Sequence, residues 1–437
     1  MDKIPLEVLR EILSRLDSRH DGRLAPYATV CRAFQFLIEA RTFAKIKIDH
    51  SAESMKRFEA AFASKRRRCL LRTLTFTIHL PDRYNWSVRQ LRPEHDRRYT
   101  IAVNELFAQL HKWTNLWDHS ANLKPFNLSI SPMPVRFVAI NPTDVKVNKH
   151  PNFPSVTCVD KIKNTCQQLY PRVISTILKA QPSIKHLSWK IDTITSLPDT
   201  TRLNIRASTA SVLSVGDFSS LEVLQLHHMD PVPFDQDPPK YINSHGKDRL
   251  SLALNQILKL PNLKELDLRG AFTLSPEIFN INEGDDVVSN SLQNIRLDLS
   301  RMTPAGEWYF TSNRGSGRQH PKSATLDPFL VALARAIVRM PALKLFSCLF
   351  PGAAFLRYYA PGTREPCRAA ESTFVFSTLE FSRWVMHFEM TARCKDGRPL
   401  LSDWNLPPEL VEVLKGADHR IFLMRGCLGV GSTSEEL

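Results

Sequence analysis

Metal binding is the first chemistry to test for in this chain. Cys158 and Cys166 stand eight positions apart, and His227 and His228 are adjacent. Neither pair has the spacing of a zinc site, which needs four ligands converging on one ion. Successive residues on a strand point to opposite faces, so His227 and His228 make a poor chelate. Glu283, Asp285 and Asp286 gather carboxylates in a Gly-containing segment but lack the alternating ligand pattern of a calcium loop, so a solvated turn is expected. No G-x-x-x-x-G-K phosphate loop, G-x-G-x-x-G turn, G-x-S-x-G elbow, H-E-x-x-H helix or paired C-x-x-C occurs. The expectation is a protein with no catalytic residue, no metal and no cofactor. An unrecognised hydrolase on an α/β scaffold is the weakest alternative, resting only on scattered Asp, His and Ser.

Charge offers a second chemistry. The 437 residues carry a net charge of +14, and residues 1–100 alone hold 21 basic and 12 acidic side chains. Lys65-Arg66-Arg67-Arg68 is the densest run. Such a run can contact nucleic acid, or it can end a helix, where cations complement the dipole. No aromatic-interleaved RNA-binding signature accompanies it. A solvated helix end is the expectation, and nucleic-acid binding through the first hundred residues is the alternative function.

The elements that would position binding residues begin at the N-terminus. Pro5 suits a first helical turn. Leu6, Leu9, Ile12, Leu13 and Leu16 then recur at spacings of three and four, which predicts a helix over about residues 5–16. Asp17–Arg23 is polar and ends it. A second apolar-periodic stretch spans Leu24–Phe36 and a third covers Phe36–Ala40. Three short helices bury little surface by themselves, so apolar side chains are left over for a partner.

The order of these residues resembles the F-box, a small helical module that docks on the Skp1 subunit of SCF ubiquitin ligases. The resemblance rests on Ile4-Pro5, Glu7-Val8-Leu9, Ile12-Leu13 with Leu16, Val30-Cys31-Arg32, Phe34, Leu37-Ile38 and Phe43…Ile46. Ile4 stands where the family prefers Leu, Phe34 stands where Trp is commonest, and Asp17–Arg23 is longer than in many members. The resemblance implies that Ile4, Pro5, Leu9, Ile12, Leu13, Val30, Cys31 and Phe34 are shared between the module's own core and a Skp1-like adaptor, with a cullin reached through it.

Beyond residue 50 an amphipathic helix is repeatedly followed by a segment of the type L-x-x-L-x-L. Strands are predicted at Leu71–Phe76, Leu123–Ile130, Ile184–Trp189, Leu221–Leu226, Leu263–Leu268, Leu292–Leu297 and Leu343–Phe346. Helices are predicted at Ser51–Ser64, Tyr99–Trp113, Tyr170–Ala180, Asp248–Leu260 and Leu326–Met340. Gln181-Pro182, Leu260-Pro261 and Met340-Pro341 place a proline between helix and strand. Such units suggest an α/β chain whose parallel strands form an irregular solenoid, similar to leucine-rich repeats, with a closed α/β domain as the other arrangement. The whole layout resembles that of fungal F-box proteins.

The expected organisation is an F-box over residues 1–48 and irregular repeats over 49–371. Capping strands and a helix follow over 372–425, and a disordered tail over 426–437. The long insertions offer binding candidates: Tyr84 and Trp86 in one, Trp308 and Tyr309 in another. No apolar stretch follows Met1, and no uncharged apolar run reaches the roughly 18 residues of a membrane span, so no membrane partner is expected. The function expected is that of a substrate-recognition adaptor in the cytoplasm or nucleus. The target protein is not legible.

Overall fold

The N-terminal residues build a small helical module. The computed structural model describes residues 4–19, 24–79, 88–117, 124–133, 153–164, 171–192, 199–229, 238–242, 246–280, 288–312, 318–350, 354–359, 384–390, 405–417, 419–425 and 433–436. Helix α1 (Leu6–Arg19) starts where the Pro5 carbonyl accepts from the Val8 and Leu9 amides at 3.1 and 3.2 Å. Glu7 in its first turn complements the dipole. A 3-10 turn (Ala25–Thr29) and helix α2 (Arg32–Thr42) complete the module. Leu9, Leu13, Leu24, Phe34 and Ile38 form its core, flanked by Tyr27, Ala28, Cys31, Ala33 and Leu37. The predicted break at Phe36 is absent: the second and third stretches meet inside α2.

The chain divides into two compact units. One comprises Met1–Ile140, Val145–Cys166 and Lys179–Ile184; the other comprises Asn141–Asp144, Gln167–Leu178 and Lys185–Leu437.

In the first unit, strands β1 (Lys45–Asp49), β2 (Thr73–His79), β3 (Phe126–Met133) and β4 (Val159–Asn164) pair in parallel and in chain order. Between them lie α3 (Ala52–Ala61), α4 (Lys65–Arg68) and α5 (Val88–Trp117). The sheet alternates: Leu74, Phe76 and Ile78 are buried, while Thr73, Thr75 and Thr77 are half-exposed. Beneath the buried face Trp113 meets Phe58, Phe62 and Phe126 at ring separations of 5.4, 5.7 and 6.3 Å. Residues expected to end the module therefore belong to the sheet, because Ile46 and Ile48 pair with Leu74 and Phe76 as part of β1.

In the second unit, β5 (His186–Asp192), β6 (Val223–Met229), β7 (Glu265–Phe272), β8 (Asn294–Leu299) and β11 (Leu345–Phe350) are parallel and again sequential. Most of α6 (Pro171–Lys179), with α7 (Asp199–Val215), α8 (Arg249–Leu258) and α9 (Ser323–Ile337), lies in this unit. A small antiparallel hairpin, β9 (Phe310–Ser312) and β10 (Arg318–Pro321), precedes α9. Strands β12 (Ala354–Tyr359) and β13 (Trp384–Met390) then turn the sheet antiparallel. Helix α10 (Pro408–Gly416) packs near α9, and β14 (His419–Arg425) lies parallel to β13. The tail expected to fray contributes β15 (Thr433–Glu436), whose backbone pairs with the free edge of β14.

All seven predicted strands are present. Helix α7 was not expected, because its inward stripe contains Arg202 and Arg206 beside Thr209, Ala210 and Leu213. Arg206 is neutralised in place by Asp248, with Nε and Nη2 donating to the carboxylate at 3.1 and 2.6 Å. Asp248 also caps α8 through the Leu250 and Ser251 amides. An inward arginine erases the apolar period that sequence reading depends on.

Candidate docking surface on the N-terminal module

Helix α1 is apolar on more of its circumference than the module's core consumes. Leu9 and Leu13 turn inward at 2% and 5% exposure. Val8 and Ile12, spaced by four on α1 and so roughly in line, are 46% and 38% exposed, and Ile4, just ahead of the helix, is 38% exposed. Val30 and Phe36 are 47% and 49% exposed. Among the residues whose side chains are described, only one other large apolar side chain, Ile101, is as open. Covering five such half-exposed side chains would contribute about 1 kcal/mol each. Apolar side chains this open on a small module make it a candidate interaction site.

The candidates thus separate by role. Leu9, Leu13 and Phe34 belong to the interior, Cys31 is half-buried, and Ile4, Pro5, Ile12 and Val30 face outward. Val8 and Phe36 join the outward set. The i, i+4 spacing of Val8 and Ile12 is the signal that could have found the first of them.

The basic run holds this module on its unit. Glu39 of α2 is 8% exposed and accepts from Arg66 and, at 3.4 Å, from Arg67, while Gln35 Nε2 donates to the same carboxylate at 3.3 Å. The Arg67 guanidinium lies 4.8 Å from the centre of the Phe43 ring. Arg68 donates to the Phe62 and Ala63 carbonyls at 2.6 and 2.7 Å and stacks 5.5 Å over Trp113. Three of the four cations are therefore engaged by the protein itself, and the expected solvated helix end is a clamp.

Other candidates fall elsewhere. Tyr309 is fully buried; its ring meets Phe329 and Phe350 at 5.7 and 5.6 Å and its hydroxyl donates to the Leu274 carbonyl. It is a core residue, packed against Phe329 of α9 and Phe350 of β11, and not a binding-loop aromatic. Trp308 is half-buried and bridges Met302. Tyr84, Trp86, Cys166, Glu283, Asp285 and Asp286 lie outside the described residues. His228 is buried against Phe272, whereas its neighbour His227 is half-exposed, the opposite-face arrangement expected of a strand. Burial pushes the Cys158 and Cys348 thiols up, away from the thiolate form that reacts. Among the described residues no three His, Cys, Asp or Glu side chains converge as a metal site. Nor is any helix among them long and apolar enough to cross a membrane.

Comparison with protein-family models, with curated proteins and with solved structures finds no match for this chain.

Proposed function

We propose that the chain is an F-box-type adaptor. Its N-terminal module docks on a Skp1-like subunit and, through that subunit, on a cullin. Its strand-and-helix region, an irregular relative of leucine-rich repeats, holds a target protein. The chain itself breaks no bond; its contribution is to raise the target's effective concentration beside a ubiquitin-transfer machine. The observation that carries this reading is the outward apolar set Ile4, Val8, Ile12, Val30 and Phe36 on a module whose interior is already filled. The sequential order of parallel strands within each unit supports the repeat reading, since a doubly wound domain reverses its order at a switch point.

Nucleic-acid binding stands second. Its best sequence support was Lys65–Arg68, and three of those side chains are spent on Glu39, on carbonyls and on ring faces. Co-expression of the full chain with a Skp1-type protein tests the first reading. A complex that survives gel filtration is expected; two separate peaks at micromolar concentration would overturn it.

A further inference from the structure

The open face of the first unit's sheet carries two rows with a lysine at each end. Register places Lys47, Thr75, Ser129 and Lys163 in one row across β1 to β4. The row beside it runs Lys45, Thr73, Asn127 and Lys161. The alternate positions Leu74, Leu128 and Ile162 are buried, so these rows are the outward ones. Lys45, Lys47 and Lys163 are exposed, and Lys161, Thr75 and Ser129 are half-exposed. None of the four ammonium groups has a hydrogen bond or ion pair with a described residue. Of the carboxylates on these strands, Asp49 shares this face one row beyond Lys47, and Asp160 stands outside the rows. Asp49, at the end of β1, accepts from the Ser51 amide and lies 4.0 Å from His79, and Asp160 is the extra residue at the bulge of β4.

We infer that this face binds an acidic, extended peptide segment of a partner protein, laid across the strands. Two cations flank a central polar pair in each row, the hydroxyls of Thr75 and Ser129 in one and Thr73 with Asn127 in the other. Strands lie about 4.8 Å apart, so the flanking lysines of one row stand about 14 Å apart at the backbone. An extended peptide rises about 3.4 Å per residue, so acidic side chains four positions apart match that span. Thr75 and Ser129 then meet the position midway between them. The rows carry no aromatic on which bases could stack, which favours a peptide over single-stranded nucleic acid. This inference deepens the adaptor reading by giving the target a chemistry, but its test is independent of Skp1 capture.

The test is fluorescence anisotropy of the full chain with a labelled Gly/Ser peptide carrying glutamates four positions apart. Single-stranded oligothymidylate serves as the competing probe. The peptide is expected to bind, weakening as salt rises. The double variant Lys47→Glu/Lys163→Glu is expected to weaken it by roughly tenfold or more. Lys45→Gln/Lys161→Gln, a milder change in the next row, is expected to weaken it to a lesser degree. The exposed helix residue Lys56 of α3 is the charge control, and Lys56→Glu should shift binding by less than about twofold. Equal affinity in wild type and both row variants would overturn the proposal, as would no binding by wild type. Oligothymidylate binding without peptide binding would overturn it in favour of nucleic acid. A failure here alongside intact Skp1 capture removes only this inference.

Discussion

Val8 and Leu9 are neighbours in sequence with opposite duties, and substitutions at the two should separate cleanly. Leu9 and Leu13 fill the module's interior. Leu13→Ala should cost about 2–4 kcal/mol and lower the thermal midpoint of the first unit, measured by calorimetry. Val8→Asp places a charge on a surface already open to water and should leave that midpoint within a degree or two while abolishing adaptor capture. Glu39 makes a third kind of residue. Its loss leaves Arg66 and Arg67 without their carboxylate, but both are partly exposed, so Glu39→Ala should cost about 1–2 kcal/mol. Hydrogen exchange should show that cost as faster opening across Leu6–Thr42. Residue types announced the outward set only in part. Spacing marked which residues were apolar, but the division between Leu9 inside and Ile12 outside depends on where α2 crosses α1. Tyr309 misled for a related reason: an aromatic in a connecting segment looks available until its ring packs against Phe329 and Phe350.

At the scale of elements, one join is repeated. Gln181, Leu260 and Met340 each accept an amide three residues on, from Ile184, Leu263 and Leu343, with proline second in the turn. Proline presets the backbone angle that position requires. Arg68 and Phe218 accept from Leu71 and Leu221 in the same way without a proline. The five residues that close these turns are essentially fully buried. Leu263→Ala should therefore cost about 2–5 kcal/mol, read as a fall in denaturant midpoint. The next residue faces out, and there Glu222 accepts from Lys185 at 3.2 Å and Lys264 at 2.7 Å. Hydrogen bonds from Lys264 and then Lys185 hold its carboxyl below the usual range. A lowered folded value means the contribution is present above the unfolded value, about 4.3, and is lost as pH falls through the folded one. Glu222→Gln should flatten stability against pH in that acid window and leave the slope near neutrality unchanged. This join precedes five of the seven strands that leucine spacing made legible. Strand β4 was not legible, because its bulge at Asp160 breaks the two-residue alternation, and α7 was not, because two arginines sit where apolar residues were sought.

For the whole molecule, each unit adds parallel strands in chain order and so offers a long outward sheet face. The first unit also carries a helical module fastened through Glu39 to the segment beside it. The module has a filled interior and leaves five large apolar side chains open to solvent. The central claim is that a Skp1-type subunit covers it. Titration calorimetry of the full chain with a purified Skp1-type protein tests this most directly, with wild type set against Val8→Asp/Ile12→Asp. The account predicts a complex of micromolar affinity or tighter for wild type. It predicts a loss of roughly a hundredfold or more for the variant, at unchanged thermal midpoint. Equal heats for the two proteins, or none for wild type, would contradict it.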